Sequence, residues 1–208
     1  MSVEPALNMR LLTVCGSLQG RSANRAALEA ALAVAVAGGA IVDDFERLAD
    51  VPAFDPDRTD EPIEVIDEWR RRVNAANVVL VAAPEYAGAV AGAAKNAFDW
   101  LVGSGELYRK PVALVSAGTT GGLHARRMMA QTLTWQGAYV VAELGIASPR
   151  TKSDEHGHLN DKSTLAAIAS LTHVLLGAPA MAADELVGLA TRVVDSLALD
   201  VSHIVPAG

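Results

Sequence analysis

Cysteine is almost absent from this sequence. Cys15 stands alone in 208 residues, so no intramolecular disulfide framework can form, and a reducing setting, the cytoplasm, is expected. Basic residues are in the minority, 17 Lys and Arg against 24 Asp and Glu, for a net charge of −7. That balance argues against nucleic acid or an anionic membrane as the main partner, while leaving room for a local site that takes a small anion. Long apolar runs are also missing. The longest, residues 31 to 42, falls short of the roughly 20 residues a bilayer span needs, and it contains two glycines. The start, MSVEPALNMR, lacks the basic n-region of a signal peptide, so secretion is not expected. No Ser-His-Asp order, H-E-x-x-H or C-x-x-C is present. His156 and His158 form the one close histidine pair, in a polar loop where solvation is the ordinary state, so no metal site and no side-chain catalyst are expected.

What is present is apolar and rich in alanine: 51% of residues are hydrophobic and only 4% aromatic, which suits small-faced helices packed closely on a sheet. The length suits one domain spanning 1–208. Short apolar runs at 10–16, 40–45, 78–84, 111–118 and 138–146 read as strands covered on both faces. Helix-period stretches at 23–37, 62–76, 89–102 and 122–136 separate them, giving βαβαβαβαβ and a three-layer doubly wound α/β sheet. Ser22 or Asn24 caps the first helix, Gly38 and Gly39 close it, and Pro62 is expected at the first position of the second. Helical stretches at 161–176 and 182–200 make 160–208 a C-terminal extension of the same domain. The segment 49–62, rich in proline and aspartate, is long for a βα connection and reads as a lid over a site.

Ligands of an open parallel sheet bind at the carboxyl ends of its strands, which directs attention to GSLQGRSAN, PEYAGAVAG and SAGTTGG. The first enters a helix N-terminus, where free N–H groups and the dipole favour an anion, and Ser17, Ser22 and Asn24 add short polar side chains. G-x-G-x-x-G is absent there, so a terminal phosphate on a mononucleotide fits better than a dinucleotide pyrophosphate; the same serine and asparagine could equally do no more than cap the helix. In the second loop Pro84 and Tyr86 suit a rigid wall that brings main-chain amides against a flat ring such as an isoalloxazine, and Tyr86 could equally be an ordinary loop aromatic that shields the core. In the third, the glycines permit close backbone contact. Cys15 ends a buried strand and reads as core, and Trp69, Trp100 and Trp135 read as packing residues within helices.

G-S-L-x-x-x-S-x-N after the first strand, taken with P-E-Y-x-x-x-x-x-G-x-x-K-N-A-x-D-W after the third, resembles the NADPH-dependent FMN reductase family over about residues 10 to 160. The resemblance implies a flavodoxin-like fold with five parallel strands in the order 2-1-3-4-5, and FMN and NADPH as cofactors. It implies a phosphate end made by Ser17, Leu18, Gln19, Arg21, Ser22, Ala23 and Asn24. It implies a ring end made by Pro84, Glu85, Tyr86 and Ala87, largely through main chain, with Ser116, Gly118, Thr119, Gly121 and Gly122. Gln19 stands where the family usually carries Arg, with Arg21 as the candidate substitute; Ala87 replaces the usual Asn and Ala91 the usual proline. Lys95, Asp99 and Trp100 fall where family members meet across a homodimer or tetramer interface.

The activity implied is a flavoprotein oxidoreductase: hydride from NADPH or NADH reaches FMN, and electrons then pass, in a ping-pong cycle, to a small acceptor such as a quinone, free flavin, azo compound or metal oxyanion. The cofactor carries the chemistry, in keeping with the lack of a side-chain catalyst. The rivals are a non-enzymatic flavin carrier and a degenerate interaction module of the same fold. The T-x-T-G-x-T loop of one-electron carriers is missing, whereas Gln19 and Ala87 keep the degenerate module in view.

Overall fold

The computed structural model describes residues 9–199. The N-terminal residues read for a leader, and the end of the helical extension from 200 onward, lie outside them.

Five parallel strands form the central sheet: β1 (Arg10–Cys15), β2 (Ile41–Asp44), β3 (Val78–Ala82), β6 (Pro111–Gly118) and β7 (Tyr139–Ala147), in the order β2-β1-β3-β6-β7. Between the third and fourth of these, β4 (Glu85–Tyr86) and β5 (Ala89–Val90) make a small antiparallel hairpin. Counting only the long strands, the order is the 2-1-3-4-5 of a flavodoxin-like sheet.

Both faces are covered, which is why the strands read as continuous apolar runs. In β1, Leu12 and Val14 enter one core with Trp69, Val79, Phe98 and Met129, while Leu11 and Cys15 enter the other with Leu28, Leu80 and Ile168. The first core lies under α2 (Glu64–Ala75), α3 (Gly92–Asp99) and α4 (Leu123–Trp135), and the second under α1 (Ala23–Ala37) and α5 (Lys162–Gly177). The Trp69 indole, fully buried, donates to the Ala97 carbonyl at 2.8 Å and packs between Phe45 and Phe98, tying α2 to α3. α6 (Ala183–Ser196) lies on β7, sending Val193 into the first core, with Leu186 and Leu189 against the second.

Several boundaries differ from expectation. Pro62 is not the first helical residue: Ile63 packs on the first core in extended conformation and serves as the N-cap, so α2 starts at Glu64. α3 starts at Gly92 rather than 89, because 85–90 fold into the hairpin. Trp69 and Trp100 are buried, but Trp135 is 55% exposed and does no core packing. Lys162–Ala180 is long and apolar enough to meet a membrane-span criterion of length and composition, which the run at 31–42 is too short to meet. Its Ile168, Leu171 and Leu175 are buried in the second core, as in a core helix.

Asp161 caps α5, accepting from the Ser163 and Thr164 hydroxyls and the Thr164 N–H at 2.5–2.8 Å, which pulls its carboxyl from 3.8 to about 2. A depressed carboxyl adds stability that is complete above its unfolded value and disappears as pH falls through the folded one. Thermal unfolding followed between pH 5 and 2, at about half-unit steps, is therefore expected to show a drop between about pH 4 and 2 that is shallower in Asp161→Asn, which caps without titrating. Parallel curves would refute the assignment.

Candidate functional site

The carboxyl ends of β1, β3, β6 and β7 open into a cleft of about 990 Å³. Its first wall is the turn from β1 into α1. Gly16 makes that turn possible by close approach, since a Cβ there would lie 2.9 Å from the Ala82 carbonyl, Ala94 and Pro84. Ser22 is the N-cap of α1, accepting the Arg25 N–H at 3.1 Å, and Ser17 accepts the Gln19 N–H at 3.3 Å. Each hydroxyl keeps its own O–H to donate. The N–H groups of Ala23 and Asn24, first in the helix, have no acceptor among the described residues. Arg21 donates to the His156 carbonyl at 2.8 Å, reaching from this turn to the loop after β7.

Asn24 has another task. Its amide donates to the Ala117 carbonyl and accepts from the Ala117 N–H, both at 3.0 Å, at a 5% exposed position. It fastens the start of α1 to the end of β6, and through its side chain it holds the cradle's frame.

The second wall is Pro84, Glu85 and Tyr86. The Glu85 carboxylate accepts from the N–H groups of His124 at 2.8 Å and Ala125 at 3.1 Å, capping α4 from outside. Beneath that cap Gly122 sits at φ 62°, and any Cβ there would overlap Ser116. Ser116 is fully buried, its hydroxyl without a hydrogen-bond partner among the described residues. Ala87 and Gly88 both have positive φ, 52° and 74°, the signature of a type I′ hairpin turn.

Of the residues expected to hold a cofactor, Ser17, Gln19, Arg21, Ser22, Ala23, Asn24, Pro84, Glu85, Tyr86, Gly118 and Thr119 line the cleft together. Leu18, Ala87, Ser116, Gly121 and Gly122 do not: Leu18 is 60% exposed, Ser116 lies under the α4 turn, and the other three shape turns. The proposed lid does not reach the site. Asn96 holds it on α3 by accepting from the Phe54 N–H and donating to the Pro52 carbonyl, both at 2.7 Å, and the Trp100 indole donates to the same carbonyl at 2.9 Å. Trp100, 1% exposed, is thus engaged within its own chain and unavailable for a subunit contact, while Lys95 pairs with Asp99 at 2.5 Å.

Residues that the sequence reading left aside form the third wall. Arg25 and Glu29 of α1 reach the cleft, and the loop after β7 contributes Ser148, Arg150, Thr151 and 153–158. That loop is well organised. Ser148, at φ 50°, donates its N–H to the Gly118 and Thr119 carbonyls, and Asp154 accepts the N–H groups of His156 and His158 at 2.9 Å. The His158 N–H above all, with the His156 N–H and the His158 ring, holds the Asp154 carboxyl below its ordinary value. The signal was a polar loop at the ligand-binding edge of the sheet.

Residues 9–152 match the family model of NADPH-dependent FMN reductases. The chain belongs to that family. It is accordingly an oxidoreductase whose family cofactors are FMN and a reduced nicotinamide dinucleotide. The chain is similar to an NAD(P)H-dependent FMN reductase of Pseudomonas aeruginosa, 30% identical over 161 residues that cover 74% of this chain and 86% of the relative. A quinone reductase of Escherichia coli is 27% identical over 166 residues, covering 76% and 88%. Among solved structures, FerB of Paracoccus denitrificans, a flavoenzyme NAD(P)H:(acceptor) oxidoreductase, superposes with a TM-score of 0.67 at 20% identity, covering 81% of this chain and 95% of its own. The likeness to FerB carries the fold.

Two substitutions test the walls. Asn24→Ala leaves the Ala117 N–H and carbonyl buried and unpaired, which should cost about 2–4 kcal/mol and lower the denaturation midpoint, whereas an unchanged midpoint would show the clamp to be idle. Ala87→Asn places a residue that tolerates the left-handed region where alanine is strained by about 1 kcal/mol, so melting should rise by about 2–4 °C, and a fall would overturn the turn assignment.

Proposed function

We propose that this cleft binds FMN and that the protein is an NAD(P)H-dependent reductase of small oxidants. The observation that carries the reading is the open start of α1: two unpaired N–H groups, two serine hydroxyls free to donate and the Arg21 guanidinium converge on one turn, a donor set suited to a dianionic phosphate monoester. Ser17, Arg21, Ser22 and the amides of Ala23 and Asn24 would hold the phosphate, Arg21 standing in for the arginine absent at Gln19. Gln19 contributes main chain, and Leu18 links it to Ser17. The ring would lie against Pro84, Glu85 and Tyr86, with Gly118 and Thr119 offering backbone amides and Ala87, Ser116, Gly121 and Gly122 setting the turns around it.

FMN, when bound, supplies a centre that accepts hydride and passes electrons on. The chain's own part is to hold that group, to keep one side of the cleft open beside Tyr86, which is 56% exposed, and to admit the reduced nicotinamide and then the acceptor to the same opening in turn. Such alternation is a ping-pong cycle. Quinones, azo compounds, free flavin and metal oxyanions all suit an opening without specific side chains. In this reading 1–208 is one FMN-binding domain with 160–208 packed on it as an extension. It works in the cytoplasm as a homodimer or tetramer, with Lys95 and Asp99 as the remaining candidate contacts on α3.

The purified protein mixed with FMN should show the flavin's visible bands, which bleach when NADPH is added without oxygen. A yellow protein inert to NADPH and NADH would support the carrier, and one that takes up no FMN the degenerate module. Arg21→Ala should weaken FMN binding by about 10- to 100-fold in a fluorescence titration, the worth of one charge-assisted phosphate contact. Unchanged affinity would remove Arg21 from the phosphate site.

A further inference from the structure

The cleft has more cationic groups than one phosphate requires. Three arginines line it, and their partners differ. Arg25 is paired with Asp44 at 2.5 Å, and Arg21 reaches a main-chain carbonyl. Arg150 has no hydrogen-bond or ion-pair partner among the described residues, although the chain as a whole carries an excess of acid. The nearby carboxylate of Asp154 is committed to two N–H groups and the His158 ring of its own loop. Glu155 lies against His156, and Glu29 reaches the cleft from α1 without an ion pair to Arg150.

The backbone that carries Arg150 is fixed. Ser148 is held in the left-handed region by two carbonyls of the β6 turn. Thr151 donates to the Ser148 carbonyl and Ser153 to the Pro149 carbonyl, both at 2.9 Å, closing the turn on either side. Ser148 and Arg150 are both exposed, so the fixed turn presents an unpaired guanidinium and a hydroxyl to the open part of the cleft, where a ligand arriving from solvent can reach them. The Ser148 hydroxyl, also on the cleft, has no partner among the described residues.

Resting on the reading that FMN occupies the α1 cradle, we propose that Arg150, with the Ser148 hydroxyl beside it, recognises the 2′-phosphate of the nicotinamide dinucleotide and so selects NADPH over NADH. The first phosphate has its donors at α1. A second phosphate monoester offers three free oxygens and nearly two charges, which match the planar fork of a guanidinium better than a pyrophosphate does.

The test titrates adenosine 2′,5′-bisphosphate and adenosine 5′-monophosphate by calorimetry into the protein as purified and into the FMN-loaded protein. NADPH and NADH kcat/KM values are measured in parallel. Arg150→Ala should remove the preference for the bisphosphate and lower the NADPH/NADH ratio by about 10- to 100-fold, Arg150→Lys should restore part of it, and FMN affinity should be unchanged. Lys152→Ala removes the same charge from the same turn but from a side chain outside the cleft, and it should leave the ratio within about twofold. Equal losses for NADPH and NADH would assign Arg150 to the pyrophosphate, and an equal effect of Lys152→Ala would reduce the matter to diffuse charge. Weakened FMN binding in Arg150→Ala would assign it to the flavin phosphate. Each of these overturns the proposal. Failure of the wild-type protein to take up FMN would instead remove the FMN reading, while the bisphosphate titration still reports on Arg150.

Discussion

The cleft is held together by one reciprocal pair of hydrogen bonds. Asn24 joins the first turn of α1 to Ala117 at the end of β6, across 93 residues of sequence and away from water. A parallel sheet places its strand ends side by side but does not by itself fix where the following helices begin. Here the start of α1 is fixed to β6, the β6 turn receives the loop after β7 through Ser148, and Arg21 returns from α1 to that loop at His156. Three loops distant in sequence thereby make a closed circuit around one space.

The layered fold was legible because burial on both faces writes itself as apolar runs, and all five strands fall within two residues of where those runs place them at each end. Boundaries set by tertiary contact were not legible. Nothing local says that Ile63 packs extended and delays α2, or that 85–90 fold back as a hairpin. The site was half legible for a similar reason. Small polar residues at a strand-to-helix turn announce themselves, and eleven of the sixteen expected residues line the cleft. The third wall carries no motif; its loop is polar like any surface loop, and only the folded chain shows that it closes on the same space.

In the K-N-A-x-D-W stretch, where Lys95, Asp99 and Trp100 were expected at a subunit interface, Asn96 and Trp100 face inward and grip the loop after β2, at Phe54 and Pro52. The loop that looked free to cover the cleft is thus anchored on α3 and the residue that ends it. Ala87 is the counterpart: its backbone adopts a left-handed conformation that asparagine tolerates better than alanine, so the asparagine expected there from the resemblance would suit the turn alone.

Two helix starts, those of α1 and α4, follow strands whose carboxyl ends border this space, and their electrostatic states differ. At α4 the Glu85 carboxylate already occupies the amides of His124 and Ala125. A second anion arriving there would meet a like charge, while at α1 it meets bare amides. Under the proposed reading the cleft thereby acquires a polarity: a guest with one charged tail and one flat head would settle with its tail at α1, and the chain's own carboxylate would set the direction.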